Sequence, residues 1–349
     1  MYLRIFRYVV MSITCPPQKS KHPAAMRLHR LAPRCDAGGV LSAEKLLKYE
    51  HNDVNMRIEK GHGTCPVFDG ARRCFRLAGR TPIHLILNRK AGRKMKIAFI
   101  GTGNMGGALA KAASKDRENR IYLVNRHPEK AEALRREIGG EVTDYAQAIR
   151  EAELVFLGVK PYVLPELCKV LRPLFMEKDT PFAVVSMAAG VPVARLKEML
   201  GDCPIIRIMP NTPVSVGEGM ILYTGDAETQ VDAFLRAMRY AGRFLRVEER
   251  LMDAGMAVSG CGPAFVDLFV EALSDAGVAS GLSRKDATLL AAQMVLGSAK
   301  LILESGKHPG ELKDAVCSPC GTTIQGVRKL EEKGFRSAVI EAVIAARDA

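Results

Sequence analysis

Residues suited to holding a phosphate or moving a hydride cluster at three places in the chain. The first is Gly101-Thr102-Gly103-Asn104-Met105-Gly106, a G-x-G-x-x-G run that follows an apolar stretch and opens a helix-forming one. In that setting Gly101 makes a tight turn, Gly103 lets the backbone approach a pyrophosphate, and Gly106 lets the helix pack on its strand. The helix N-terminus, with Asn104 and Met105 in its first turn, then aims free N–H groups at the phosphates. The second cluster is Val124-Asn125-Arg126, about 20 residues further on. An acidic residue there would suit the ribose hydroxyls of NADH. An amide and a guanidinium, Asn125 and Arg126, instead suit a 2′-phosphate, so NADPH is expected, with NADH as the alternative. The third is Gly158-Val159-Lys160-Pro161 at a strand end, which places Val159, Lys160 and Pro161 beside the ligand crevice.

Other reactive groups are sparse. Between Met95 and the C-terminus stand only two histidines, His127 and His308, neither inside a motif. A histidine-centred mechanism therefore has little support. Cys317-Ser318-Pro319-Cys320 is formally a C-x-x-C, yet no second cysteine or histidine pair lies nearby, which disfavours a metal or redox reading. No metal is expected.

The elements that must position these residues are an alternation of strands and helices. Apolar runs at 97–100, 121–124, 154–159, 182–186 and 205–209 read as buried strands, with helical segments at 104–115, 128–138 and 162–173 between them. This predicts an α/β Rossmann-like, doubly wound parallel sheet. Beyond about residue 257 the strands stop, and Pro263–Ser280 and Lys285–Ser305 read as helices apolar around most of their circumference. Such helices must be buried, and neither is uninterrupted enough to span a bilayer, so an all-α dimerisation domain and a homodimer or higher homo-oligomer are expected. The domains expected are 95–256 for NAD(P) binding and 257–349 for dimerisation and substrate.

Charge divides the chain at Met95. Residues 1–94 hold 19 of the 51 Lys and Arg but only 6 of the 38 Asp and Glu, leaving 32 of each in the remainder. A neutral body argues against a nucleic-acid role. Residues 1–94 carry no sustained period and are expected to be a non-native or disordered basic extension without chemistry of their own. The alternative is an Arg-rich organellar leader, against which stand its six acidic residues and its length. Nine scattered cysteines fit a cytoplasmic protein with reduced thiols, and no membrane association is expected.

From Met95 to the end, the chain resembles the pyrroline-5-carboxylate reductase family. The likeness rests on the Gly101–Gly106 turn, Val159-Lys160-Pro161, Ser186 to Gly190, and Arg207-Ile208-Met209-Pro210-Asn211-Thr212-Pro213. It continues through Ser259 to Phe265, Glu271 to Val278, and Leu312-Lys313-Asp314 through Thr323-Ile324. The resemblance implies hydride transfer from NAD(P)H to the cyclic imine 1-pyrroline-5-carboxylate, giving L-proline. It implies that Gly321, Thr322 and Thr323 hold the substrate carboxylate, that Thr323 addresses the imine nitrogen, and that Ser259 and Pro263 line the nicotinamide pocket. The helix opened by Gly321-Thr322-Thr323 has free N–H groups that suit an anion, although a threonine there could equally be a helix cap. Two positions depart from the family. Cys320 stands where a glycine is usual, which would strain the loop if positive φ is needed, and Tyr145 stands where an asparagine often contacts the cofactor.

Two other readings share the nucleotide fold. A β-hydroxyacid dehydrogenase relative would use Lys300, in Gly297-Ser298-Ala299-Lys300, as acid and base. A non-catalytic NADP-binding regulator would bind cofactor without turnover.

Overall fold

A computed structural model describes residues 94–349. The expectation for residues 1–94 lies, apart from Lys94, outside the described residues. Eight strands form one sheet: β1 (Lys96–Ile100), β2 (Arg120–Val124), β3 (Glu141–Val142), β4 (Leu154–Leu157), β5 (Ala183–Ser186), β6 (Ile205–Met209), β7 (Gly219–Gly225) and β8 (Gly242–Arg246). Their order is β3-β2-β1-β4-β5-β6-β7-β8, parallel throughout except where β7 runs antiparallel to β6. The chain reverses its direction across the sheet between β1 and β4, and the crevice at the C-terminal ends of those two strands is where such sheets take a ligand.

Strand alternation builds two cores. Ile97 and Phe99 of β1 face one side, where helices α1 (Asn104–Ser114), α2 (Pro128–Ile138) and α6 (Glu228–Ala237) cover them with Leu109, Leu134 and Phe234. Ala98 and Ile100 face the other, under α3 (Tyr145–Glu151), α4 (Leu164–Met176) and α5 (Val193–Leu200), which contribute Ile149, Leu171 and Leu196. Phe156 of β4 stacks on Phe99 with ring centroids 4.6 Å apart, next to Phe234. Burial of such a ring contributes about 1.5–3 kcal/mol, so this trio anchors α6 to the strands beneath the crevice.

Past β8 the described chain is helical: α7 (Met252–Ser259), α8 (Gly262–Ala279), α9 (Arg284–Ser305), α10 (Pro309–Val316), α11 (Thr322–Glu332) and α12 (Phe335–Asp348). Helices α8 and α9 form a hairpin. Gly277 lets them approach, since a Cβ there would lie 2.9 Å from Ala287 Cβ, and Gly281 turns the link at φ +97°. Ser283 caps α9 by accepting from Asp286 N–H, while Arg284 ties back to Ser274 and Asp275.

The two apolar helices are left uncovered within a single chain, as an intersubunit bundle requires: Leu268, Leu289, Leu296 and Leu303 are each more than half exposed. By length and composition Glu249–Ala279 and Arg284–Ser305 are long and apolar enough to cross a membrane, which corrects the expectation that neither could. Asp267, Glu271 and Asp275 interrupt the apolar run of the first without lowering its mean hydropathy enough to exclude a span. The apolar surface is real, and it faces outward.

Candidate functional site

Three glycines without side chains knot the first turn. Gly101 has φ +95°, and a Cβ on it would lie 2.7 Å from Gly158 O. A Cβ on Gly106 would collide with Gly101 O, and one on Gly158 would collide with that same oxygen. Any side chain at these positions must therefore push α1 off the sheet. Gly103 differs: nothing lies within 4 Å of where its Cβ would be, and its φ of −72° suits any residue. Its lack of a side chain serves no contact within the protein. It keeps space open for something else.

The surroundings fit a dinucleotide. Gly103 caps α1 without a side-chain hydrogen bond, and the first turn of α1 has no acidic residue to repel a phosphate. Thr102 Oγ1 is buried beside this turn with no hydrogen-bond partner among the described residues, a donor left for a ligand. Asn104 is exposed and Met105 packs on the core. At the end of β2, Asn125 Nδ2 donates to His127 O, while Arg126 is exposed and free of ion pairs among the described residues. Lys160 is likewise exposed past β4, and Pro161 starts a short 3₁₀ turn. Tyr145, the family departure, packs against the second core as the first residue of α3.

A second part of the site lies where the sheet meets the helices. An open groove of about 530 Å³ runs between the loop after β6 and the α7–α8 junction, lined by Asn211, Thr212, Val258, Ser259, Pro263 and Val266. Ser259 and Pro263 both line this groove. Asn211 holds the groove together, a role that its place within the Arg207–Pro213 run does not by itself declare. It is buried, donates from Nδ2 to Ser259 O at 2.9 Å, and accepts from Met220 N–H at 2.9 Å. An asparagine flanked by prolines directly after a strand was the available signal. Beneath it, Arg207 of β6 is almost wholly buried and reaches Glu249 at 3.0 Å and Asp253 at 3.7 Å, so the sheet grips the start of α7.

The third part is the N-terminus of α11. Gly321 caps it with no side-chain hydrogen bond, so neither threonine acts as the cap. Thr322 and Thr323 occupy the first two helical positions, both exposed, with no acid in the first turn. Their N–H groups are among those a helix leaves unpaired. Gly321 contributes differently: its own N–H donates to Ser318 O at 3.0 Å, and a Cβ on it would collide with Ser318 Oγ. Its role is room and shape. Cys320 has φ +59°, the only non-glycine among the described residues with positive φ, which meets the expectation of strain. Within one chain, the Thr323 segment does not line the Asn211–Pro263 groove.

The remaining candidates have ordinary duties. His308 accepts from Gly310 N–H at the start of α10, and His127 lies 3.7 Å from Glu129. Lys300 sits on an exposed face of α9, 3.7 Å from Glu304, with no site around it, which leaves the β-hydroxyacid dehydrogenase reading without a geometry. Among the described residues no three metal-binding side chains converge.

Comparison with known proteins joins these parts. Residues 249–349 match the family model for pyrroline-5-carboxylate reductase dimerisation, and residues 96–190 match the model for NADP oxidoreductase, coenzyme F420-dependent. The pyrroline-5-carboxylate reductase of Escherichia coli K12 is 43% identical over 257 residues, covering 71% of this chain and 94% of that protein. The one from Pisum sativum is 40% identical over 257 residues, covering 72% and 93%. Among solved structures, a pyrroline-5-carboxylate reductase from Coxiella burnetii superposes with a TM-score of 0.68 at 33% identity, covering 73% of this chain and 97% of that one. A Plasmodium falciparum pyrroline carboxylate reductase with NADP bound gives 0.65 at 29% identity, covering 73% and 97%. With identity of this order spanning both the nucleotide turn and the helical half, the chain belongs to the pyrroline-5-carboxylate reductase family.

Proposed function

We infer that this protein is a pyrroline-5-carboxylate reductase, an NADPH-dependent oxidoreductase that reduces the C=N bond of 1-pyrroline-5-carboxylate to L-proline. The observation that carries the reading is that 43% identity extends over 257 residues, so the glycine turn and the anion-ready helix belong to one enzyme. Bound NADPH supplies the hydride. The chain's own residues position and polarise. Gly103 leaves the pyrophosphate its approach, with Thr102 Oγ1 and the N-terminus of α1 as donors. Arg126, exposed and unpaired, is assigned to the 2′-phosphate, with Asn125 beside it, and Val159, Lys160 and Pro161 to the ribose side of the crevice. Ser259 and Pro263 line the space for the nicotinamide ring, in a groove that Asn211 braces.

The substrate carboxylate fits the N–H groups of Thr322 and Thr323, and the Thr323 hydroxyl hydrogen-bonds the ring nitrogen, accepting from it when it is protonated and donating to it when it is not. As hydride reaches the imine carbon, that nitrogen keeps or gains the proton that makes it an amine. Alignment and electrostatics supply most of the acceleration, and no strong acid is required. Because the Thr323 segment lies away from the groove of its own chain, we assign the complete site to two copies, joined through the outward apolar faces of α8 and α9. The division into 95–256 and 257–349, a cytoplasmic location, and the absence of nucleic-acid or membrane partners belong to the same reading.

The test is NADPH consumption with 1-pyrroline-5-carboxylate, wild type beside Thr323→Ala. Turnover should be rapid in the first, and kcat/KM should fall by about 10²-fold in the second, the scale for losing one donor to a reacting group. NADPH binding without turnover in the wild type would overturn this reading in favour of the NADP-binding regulator.

A further inference from the structure

The turn that introduces the substrate helix holds two thiols, Cys317 and Cys320, and the reaction above uses neither. A dithiol, unlike a metal site, needs no second pair, so the geometry of the turn reopens the redox reading that spacing alone disfavoured. Of the five cysteines among the described residues, Cys168 and Cys203 are buried, and burial pushes each thiol up to about 11, which keeps them inert. Cys320 is exposed and Cys317 half-buried. The pair brackets Ser318-Pro319. Gly321 N–H donates to Ser318 O, closing a β-turn with Pro319 second and Cys320 third, at φ +59°. Proline second and positive φ third define a type II turn, whose third place belongs to glycine. A thiol has thus been set, against backbone preference, one residue before the cap of α11. Cys317 closes the other side, its N–H donating to Asp314 O at 3.1 Å. Lys313, held above its ordinary pKa first by Asp314 and also by the Cys317 sulfur, brings a cation near Cys317.

We propose that Cys317 and Cys320 are a thiol switch: oxidation by a hydroperoxide joins them in a disulfide that loosens the substrate clamp, and reduction restores it. This rests on the assignment of Thr322 and Thr323 to the substrate. The chemistry balances in two steps. The Cys320 thiolate attacks one peroxide oxygen, the O–O bond breaks, and the other half leaves as an alcohol or water after taking a proton, giving a sulfenic acid. The Cys317 thiolate then attacks that sulfur, an S–S bond forms, and the hydroxyl departs with a proton as water. The two thiols lose two electrons and two protons, and the peroxide gains them. A disulfide holds its Cα atoms about 4.4–6.8 Å apart with a fixed dihedral, so the turn between the cysteines must adopt the ring's geometry. Gly321 is wedged against Ser318, and a shift of that turn passes directly to Thr322 and Thr323. A loop that admits the substrate admits a peroxide, which is smaller.

The experiment uses the full chain, treated with hydrogen peroxide and then freed of it. Peptide mapping should find Cys317 and Cys320 in one peptide lighter by two hydrogens. KM for 1-pyrroline-5-carboxylate should rise between about tenfold and a hundredfold, as for a misplaced positioning group, with NADPH affinity unchanged. Dithiothreitol should reverse both effects. Cys317→Ser, which leaves the clamp untouched, should resist the change, and so should Cys320→Gly. Absence of the cross-link, or a cross-link that leaves KM where it was, overturns the switch. Reduced Thr323→Ala separates the two ideas: a normal KM and kcat there sinks the clamp assignment, whereas a crippled variant beside an ineffective disulfide sinks the switch alone.

Discussion

At the scale of single residues, the glycines of one motif divide their labour, and the division can be measured. Gly106 has no room for a methyl group, because its Cβ would meet Gly101 O. Gly106→Ala should therefore destabilise the fold by about 1–3 kcal/mol, the range for overpacking a tight contact. Gly103 has space and an ordinary φ, so Gly103→Val should leave the melting temperature near the wild-type value. Its branched side chain should instead fill the pyrophosphate approach and weaken NADPH by on the order of a hundredfold, nearly 3 kcal/mol. Equal melting-temperature losses in the two variants would defeat this assignment. Cys320 gives the opposite sign. Relief of its left-handed backbone is worth about 1–2 kcal/mol, of which glycine's extra freedom when unfolded removes roughly 0.5–1. Cys320→Gly should raise stability in denaturant by somewhat less than 1 kcal/mol, and a loss would mean that the thiol makes a compensating contact. These residues were legible in the sequence because glycine spacing and turn chemistry are local. The part played by Gly158 was not, since its need comes from Gly101 and Gly106 across the crevice.

At the scale of elements, the joint between sheet and helices governs the groove. Met209, Leu222 and Met252 form a small core there, and Gly255 lies close over Leu222, seating α7 on β7. The Arg207–Glu249 pair locks the same joint, and Glu249 also accepts from Val193 N–H at the start of α5. Glu249→Gln should lower stability by about 2 kcal/mol; the guanidinium is buried, but the carboxylate is half-exposed and solvent screens part of the loss. Replacing the pair together, Arg207→Met with Glu249→Gln, should recover part of that loss, since no buried charge is left unmatched. An additive double mutant would argue against direct coupling. None of this could be read from periodicity. The five parallel strands announced themselves as short apolar runs, whereas β3 has two residues and β7 and β8 mix glycine, threonine and arginine with their apolar positions. Their assignment depends on neighbours in the sheet, which a single sequence does not display.

At the scale of the whole molecule, the open face of α8 and α9 and the separation of Thr323 from the groove make the same demand, a second copy of the chain. The family model matching 249–349 is one of dimerisation, so a homo-oligomer is the working form. The sequence disclosed the apolar helices and, because a soluble protein must cover them, that a second chain is needed; periodicity reports how much surface is apolar and not which residues of the partner cover it. Whether the active site is shared can be settled with two inactive variants. Gly103→Val should lack cofactor binding and keep its Thr323, while Thr323→Ala should keep its cofactor site and lack the clamp. If each site takes its cofactor from one chain and its threonine from the other, a hybrid dimer contains one intact site and one doubly damaged site. Random re-association of equal amounts makes half the dimers hybrids, so activity should return to about one quarter of wild type. If both parts come from the same chain, every site in the mixture carries a lesion and the sum stays at the level of the separate variants. The control is to mix without dissociation, which should give no gain, and an identical result with and without chain exchange would place Thr323 in its own chain's site.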